Sequence, residues 1–213
     1  MASPSKGSPR GRVTTFLMGD LVGSTAHWLS SPVEMEAALR FHDAVVGDAV
    51  SASEGEVFKH TGDGFLARFD DPDEAIAAAR RIRGGLASAP DAVLPLLRVR
   101  LAVDLGWAVE RDGDWFGPAV NRVARVTDLV EPAGVVVTSS VVEVVRAAVD
   151  PVDLGEVDLR SHTTGIRLYG IDGAMLSGGP VPGARLCRGR GRASSAETTR
   201  CAGSANSWPS IRW

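Results

Sequence analysis

The stretch Val57-Phe-Lys59-His60-Thr61-Gly62-Asp63-Gly64-Phe65-Leu-Ala-Arg-Phe69 sets two short β-rich runs on either side of Thr-Gly-Asp-Gly. Two such runs around a Gly/Asp turn form a β-hairpin, here over 57–60 and 65–69, with Asp63 in the turn. A hairpin demands antiparallel pairing. It therefore interrupts the strand–helix alternation of the surrounding chain and points away from a purely parallel sheet.

Working upstream, Val13-Thr-Thr-Phe-Leu-Met-Gly19 is an apolar run that reads as a buried strand ending at Asp20. Gly23-Ser24-Thr25 opens a helix with Ser24 or Thr25 as its cap. Trp28, Met35, Leu39, Val46 and Val50 then form one buried stripe at intervals of seven and four. Downstream, Asp71-Pro-Asp-Glu74 starts a helix that runs to about Ser88: a capping acid, proline at the first position, acids in the first turn. Val99, Leu101, Val103 and Leu105 alternate with Arg98, Arg100, Ala102 and Asp104, the pattern of a half-buried strand. Arg111–Asp114 is a turn, and Pro118 begins a helix through about Leu129. Gly134–Thr138 is a strand, Ser139–Val149 a helix, and Gly165–Ile171 a last strand. The sum is an α+β, ferredoxin-like sandwich with helices on one face of a mostly antiparallel sheet.

The 213 residues, 44% of them hydrophobic, suffice for one domain with a good core. The boundaries read as a disordered start over 1–12, a folded body over 13–173, and a basic Gly/Ser/Arg tail over 174–213 without periodicity. Both ends are basic, so the body carries the acidic excess, a net −11 of the total −3. Such a body does not bind nucleic acid through bulk charge. Both cysteines, Cys187 and Cys201, lie in the tail, so the core needs no disulfide. No apolar run approaches the roughly 18 residues of a membrane span, and no apolar stretch follows the basic start. These features lead us to expect a cytoplasmic protein without membrane contact.

Three segments carry chemistry. Asp20 and Asp63 each stand where a strand meets glycines. Singly, each suits an ordinary turn; as a pair, their hard oxygens suit Mg²⁺ or Mn²⁺, with glycines that admit phosphates. Gly23, Ser24 and Thr25, at a helix start after Asp20, suit a triphosphate. Asn121 and Arg125 lie four apart on one helix face. Taken alone they suit an ordinary solvated helix face; taken with the other segments they suit a ribose and a reacting phosphate. Lys59 and Asp114 could be surface charges. As a base-reading pair, Lys donates to purine N1 and Asp accepts an exocyclic amine, which selects adenine over guanine.

Together these segments resemble the catalytic domain of the class III nucleotidyl cyclases, of adenylyl type and actinobacterial character. Asp20 in Asp-Leu-Val-Gly-Ser-Thr and Asp63 in Lys-x-x-Gly-Asp-Gly match the family's two metal ligands. Lys59 and Asp114 match its purine-binding pair, Asn121 its ribose-orienting residue and Arg125 its transition-state residue. Arg160, in Leu154-Gly-Glu-Val-Asp-Leu-Arg160, resembles a basic residue that touches the triphosphate. The resemblance implies ATP as substrate, two divalent ions as cofactors, cyclic AMP and pyrophosphate as products, and a homodimer. In the family one subunit supplies the metal ligands and the other supplies the purine, ribose and transition-state groups. The alternative is a weakly active or inactive cyclase-homology module that senses nucleotide or dimerises. One departure is Met18-Gly19, where the family has Phe followed by Thr or Ala. Loss of that side chain would loosen the strand that aims Asp20.

Overall fold

In the computed structural model, which describes residues 11–132, 134–159 and 165–177, a single sheet carries helices on both faces. In chain order the elements are β1 (Gly11–Leu21), α1 (Ser24–Ser30), α2 (Pro32–Ser51), β2 (Glu56–His60), β3 (Gly64–Phe69), α3 (Pro72–Leu86), β4 (Val99–Arg111), β5 (Asp114–Phe116), α4 (Pro118–Asp128), β6 (Val135–Thr138), α5 (Ser139–Val142), β7 (Val152–Val157) and β8 (Ile166–Ile171). The strands run in the order β2-β3-β1-β4-β6-β8-β7, with β5 folded back on the end of β4. Every pairing is antiparallel except β4 with β6.

Strand periodicity divides the core in two. In β1, Leu17 and Leu21 face a cluster with Met35, Val46, Phe65, Phe69, Ile76, Ile82 and Leu101, closed by α2, α3 and α5. Phe16 points the other way, into a cluster with Trp115, Val123, Val126, Val136, Leu154 and Leu168 under α4. Helix α3 forms where its start signals predict: Asp71 accepts a hydrogen bond from the Asp73 N–H at 2.9 Å, and Pro72 occupies the first turn.

The α+β sheet and the hairpin agree with the sequence reading, but several details differ. Helices cover both faces because β1 and β4 are apolar on both. Ala102 and Asp104, expected on a half-solvated side, are buried. The first helix is two: Ser31 leaves helical geometry (φ −148°) and Pro32 starts α2, so Trp28 is 40% exposed rather than part of a buried stripe. Gly23, in left-handed geometry (φ 76°), caps α1 in place of Ser24 or Thr25. Helix α5 stops at Val142, and β5 and β7 are strands that the sequence reading passed over.

The folded body extends past Gly173. Leu176 bridges to Val130, Ser177 N donates to Leu129 O at 2.8 Å, and Ala174 and Leu176 are buried. The rest of the basic tail, with Cys187 and Cys201, lies outside the described residues, as does Arg160.

Candidate active site

Asp20 sits one residue from the end of β1, facing Gly64 of β3 and Arg100 of β4 in register. Because Asp63 immediately precedes Gly64, the hairpin delivers the second carboxylate beside the first. Room for this depends on Gly64: a Cβ there would lie 2.8 Å from Gly19 O and 3.5 Å from an Asp20 carboxylate oxygen. Gly19 is equally constrained, since a Cβ would fall 2.3 Å from the Phe65 ring and 2.9 Å from Leu101. The missing side chain at 19 therefore does not loosen the strand; it admits Phe65.

A basic group that sequence reasoning placed on a solvated strand face completes this corner. The Arg100 guanidinium pairs with the Asp20 carboxylate, and its Nη1 donates to Asp128 O at the end of α4 at 3.3 Å. Burial pushes the Asp20 carboxyl above its usual range. Arg100 opposes the rise, and the nearby charges of Asp63 and Asp128 add to it. Arg100 Nε is buried without a hydrogen-bond partner. The corner thus combines two carboxylates with a guanidinium that has a donor to spare.

Lys59 and Asp114 meet directly, Nζ to Oδ2 at 2.5 Å, although 55 residues separate them. Two local features aim them. A bulge between Val57 and Lys59 shifts the register of β2 against β3, and bulges re-aim the side chains that follow. On the other side, Trp115 is buried against Phe16, ring centroids 5.7 Å apart, and anchors β5. Alternation then turns Asp114 and Phe116 outward. The Trp115 N–H donates to Asp114 Oδ1 at 2.8 Å, and the hydrogen bond from Lys59 holds the Asp114 carboxyl below its usual range. The exposed Phe116 ring lies 5.8 Å from Lys59 Nζ.

Asn121 and Arg125 occupy the exposed side of α4, one turn apart. The helix begins at Gly117, whose φ of 143° suits glycine and brings the turn within 3.1 Å of Ala108 Cα and Trp107 O, measured from a hypothetical Cβ. The structure thus brings the expected residues together as Asp20 with Asp63 and Lys59 with Asp114, and sets Asn121 and Arg125 on one face. Ser24 is buried at the start of α1 and Thr25 is exposed beside it.

No family model matches the chain. The chain is 32% identical over 157 residues to an uncharacterised protein of Mycobacterium tuberculosis, covering 72% of this chain and 52% of that one. It is 31% identical over 171 residues to a putative adenylate cyclase of Rhizobium meliloti, covering 78% of this chain and 29% of that protein. In three dimensions it matches an adenylate/guanylate cyclase/hydrolase from Silicibacter pomeroyi, with a TM-score of 0.65 and 27% identity over 76% of this chain and 97% of that one. The chain belongs to the class III nucleotidyl cyclase family. This cyclase chain spans about half the length of the mycobacterial relative.

The donor set of the cyclase domain can be tested against the divalent ions that the family implies. Among the described residues no group of three or more His, Cys, Asp or Glu surrounds a metal position. A pair of carboxylates nevertheless fits Mg²⁺, which keeps water and is bound through one or two carboxylates plus substrate phosphates. The cation that Asp20 already holds, the Arg100 guanidinium, shows that this corner favours positive charge. Asp20 and Asp63 are the residues that would hold the ions.

Proposed function

We propose that this domain converts ATP to 3′,5′-cyclic AMP and pyrophosphate, at sites shared between two copies of the chain. The convergence of Asp20 and Asp63 at the end of β1, next to Arg100, carries this reading. It is a corner built for divalent cations and a polyphosphate. When bound, the divalent ions supply Lewis acidity to the ribose 3′-hydroxyl and neutralise charge on the triphosphate.

The chain's own groups do the positioning. Lys59 Nζ donates to adenine N1 and Asp114 accepts from the exocyclic amine. Their resting ion pair keeps both in place and must open for the base, so discrimination comes from which purine edge repays that opening. Asn121 holds the ribose so that the 3′-oxygen faces the α-phosphorus in line. As the new O–P bond forms, the bond from α-phosphorus to the pyrophosphate bridging oxygen breaks, and the 3′-hydroxyl proton passes to solvent water. Arg125 carries the negative charge that develops on the phosphoryl oxygens. Arg100 and the backbone at Gly23, Ser24 and Thr25 face the departing pyrophosphate, with Arg160 as a further phosphate contact. One chain carries both the carboxylates and the α4 groups, so a two-fold dimer makes two equivalent sites.

The test is a product assay on the purified chain with ATP or GTP and either Mg²⁺ or Mn²⁺. The expected result is cyclic AMP and pyrophosphate in equal amounts from ATP, abolished by a chelator. Changing Lys59→Glu together with Asp114→Cys is expected to lower ATP turnover by roughly 100-fold. No cyclic nucleotide from either substrate would overturn the proposal. So would a preference for GTP, or full ATP turnover in the double variant.

A further inference from the structure

Beneath α4 lies a charge pair for which the reading above has no use. Asp104, at mid-strand in β4, is fully buried. Arg122 reaches down from α4 and grips it with both arms of its fork, Nε to Oδ2 at 2.8 Å and Nη2 to Oδ1 at 3.0 Å. Nη2 also donates to Leu105 O at 3.1 Å. Thr138, at the end of β6, donates to Asp104 Oδ1 at 2.7 Å, and the Ser140 hydroxyl lies 3.3 Å from the same oxygen. The room for the guanidinium comes from Gly106, where a Cβ would lie 2.7 Å from Arg122 Nη2 and 3.1 Å from Ala119 Cβ. Three elements are thus tied at one carboxylate.

A buried ion pair seldom adds stability over well-packed apolar residues of the same volume. What it adds is orientation, because a guanidinium fork meets a carboxylate in one plane and at one rotation. Arg122 is flanked on α4 by Asn121, one residue earlier, and Arg125, three later. At about 100° per residue both project about 60–100° to the same side of Arg122. A group about 6 Å from the helix axis moves about 1 Å for each 10° of helix rotation, estimated from helix dimensions. A shift of that size at a reacting centre can cost on the order of 100-fold in rate.

We propose that Asp104 is a positioning residue: through Arg122 it sets the rotation of α4 and thereby the aim of Asn121 and Arg125. The proposal rests on the cyclase reading of those two residues, and it makes a claim about the helix that does not depend on turnover.

The experiment compares wild type, Arg122→Lys and the apolar pair Asp104→Leu/Arg122→Met, measuring melting temperature, KM and kcat for ATP, and hydrogen exchange of the α4 amides. The apolar pair is expected to melt within about 5 °C of wild type, since no charge is left unpaired. Its KM should stay within about threefold while kcat falls on the order of 100-fold, and its α4 amides should exchange at least about tenfold faster. Arg122→Lys keeps the charge but loses the fork. It guards against a misfolded double variant: near-wild-type melting is expected, with about a tenfold loss in kcat and faster α4 exchange. A folded apolar pair with wild-type kcat, or Arg122→Lys with wild-type kcat and α4 protection, would overturn the proposal. If the wild-type chain makes no cyclic nucleotide, the cyclase reading fails and α4 exchange decides the positioning claim: faster exchange in both variants supports it, and unchanged exchange in either overturns it.

Discussion

The two faces of the sheet share one strand alternation but bury different chemistry. Under α2, α3 and α5, apolar side chains meet apolar side chains. The buried polar groups there include His42, whose imidazole burial holds below its usual pKa, and Ser53, bonded to Ala49 O. Under α4 the same strands bury Asp104 beneath Arg122 and half-bury Asp20 beneath Arg100. Apolar packing tolerates small slips between elements, whereas a carboxylate–guanidinium fork does not. The difference teaches that this chain supports its sheet by apolar packing on one side and fixes geometry by charge pairs on the other.

The sharpest way to break that comparison is to pair defects. Asp63→Ala removes a carboxylate from the β1 corner and Arg125→Ala a cation from α4. Each variant alone is expected to lose roughly 1000-fold in turnover while melting like wild type. Mixed in equal amounts, half of the dimers carry one intact site of two, so activity should return to about a quarter of wild type. No recovery in a mixture shown to exchange subunits would mean that the two residue sets do not meet across a dimer.

The opposite face should give the opposite result. Ile82 is fully buried on α3, and Ile82→Ala should lower stability by about 3 kcal/mol. Turnover per folded molecule, measured well below the melting point, should be unchanged. A turnover loss exceeding the unfolded fraction would show that α3 also positions the site.

The α4 face has an apolar component as well, closed by the residues after β8. A chain ended at Gly173 loses Ala174, Leu176 and the bridge to Val130, whereas one ended at Ser177 keeps them. The shorter chain should be less stable by about 2–4 kcal/mol and melt roughly 5–15 °C lower. Equal melting temperatures would show that this last bridge adds nothing.

The smallest effect is expected where the two faces end, at Asp172 after β8. Arg80 of α3 binds its carboxylate at 2.8 and 3.0 Å, and this hydrogen bond lowers the pKa below the usual 3.8. A carboxyl whose folded pKa is depressed contributes stability above its unfolded pKa and loses it as pH falls through the folded value. The pair is partly exposed, so the effect is a few tenths of a kcal/mol. Wild type should melt slightly above Asp172→Asn at pH 7, and the gap should close as the pH falls below 3.8 and through the depressed folded value. Asn suits the left-handed backbone there, φ 54°. A gap that persists in acid would mean the aspartate acts through packing instead.

Much of this molecule was legible in the chain. The hairpin followed from Thr61-Gly-Asp-Gly64 between β-rich runs, α3 from Asp71-Pro72, and α4 from Pro118, because these signals act over a few residues and need no partner. The grouping of Asp20 with Asp63, of Lys59 with Asp114 and of Asn121 with Arg125 also agrees with the sequence reading. Other long-range pairings were not legible. Arg100 looked like the polar phase of a half-buried strand, and only the packing of α4 against that phase turned it onto Asp20. Asp104 offered one signal, an acid in an apolar strand, but its partner Arg122 is 18 residues away in sequence. Residues 174–177 lack periodicity of their own and are ordered by contacts with Val130 and Leu129. Local propensity, capping and turn chemistry were therefore determined by the sequence alone. Which strand face is solvated, which charges meet and where the body ends were decided by tertiary structure, because burial and ion pairing depend on distance in space rather than along the chain.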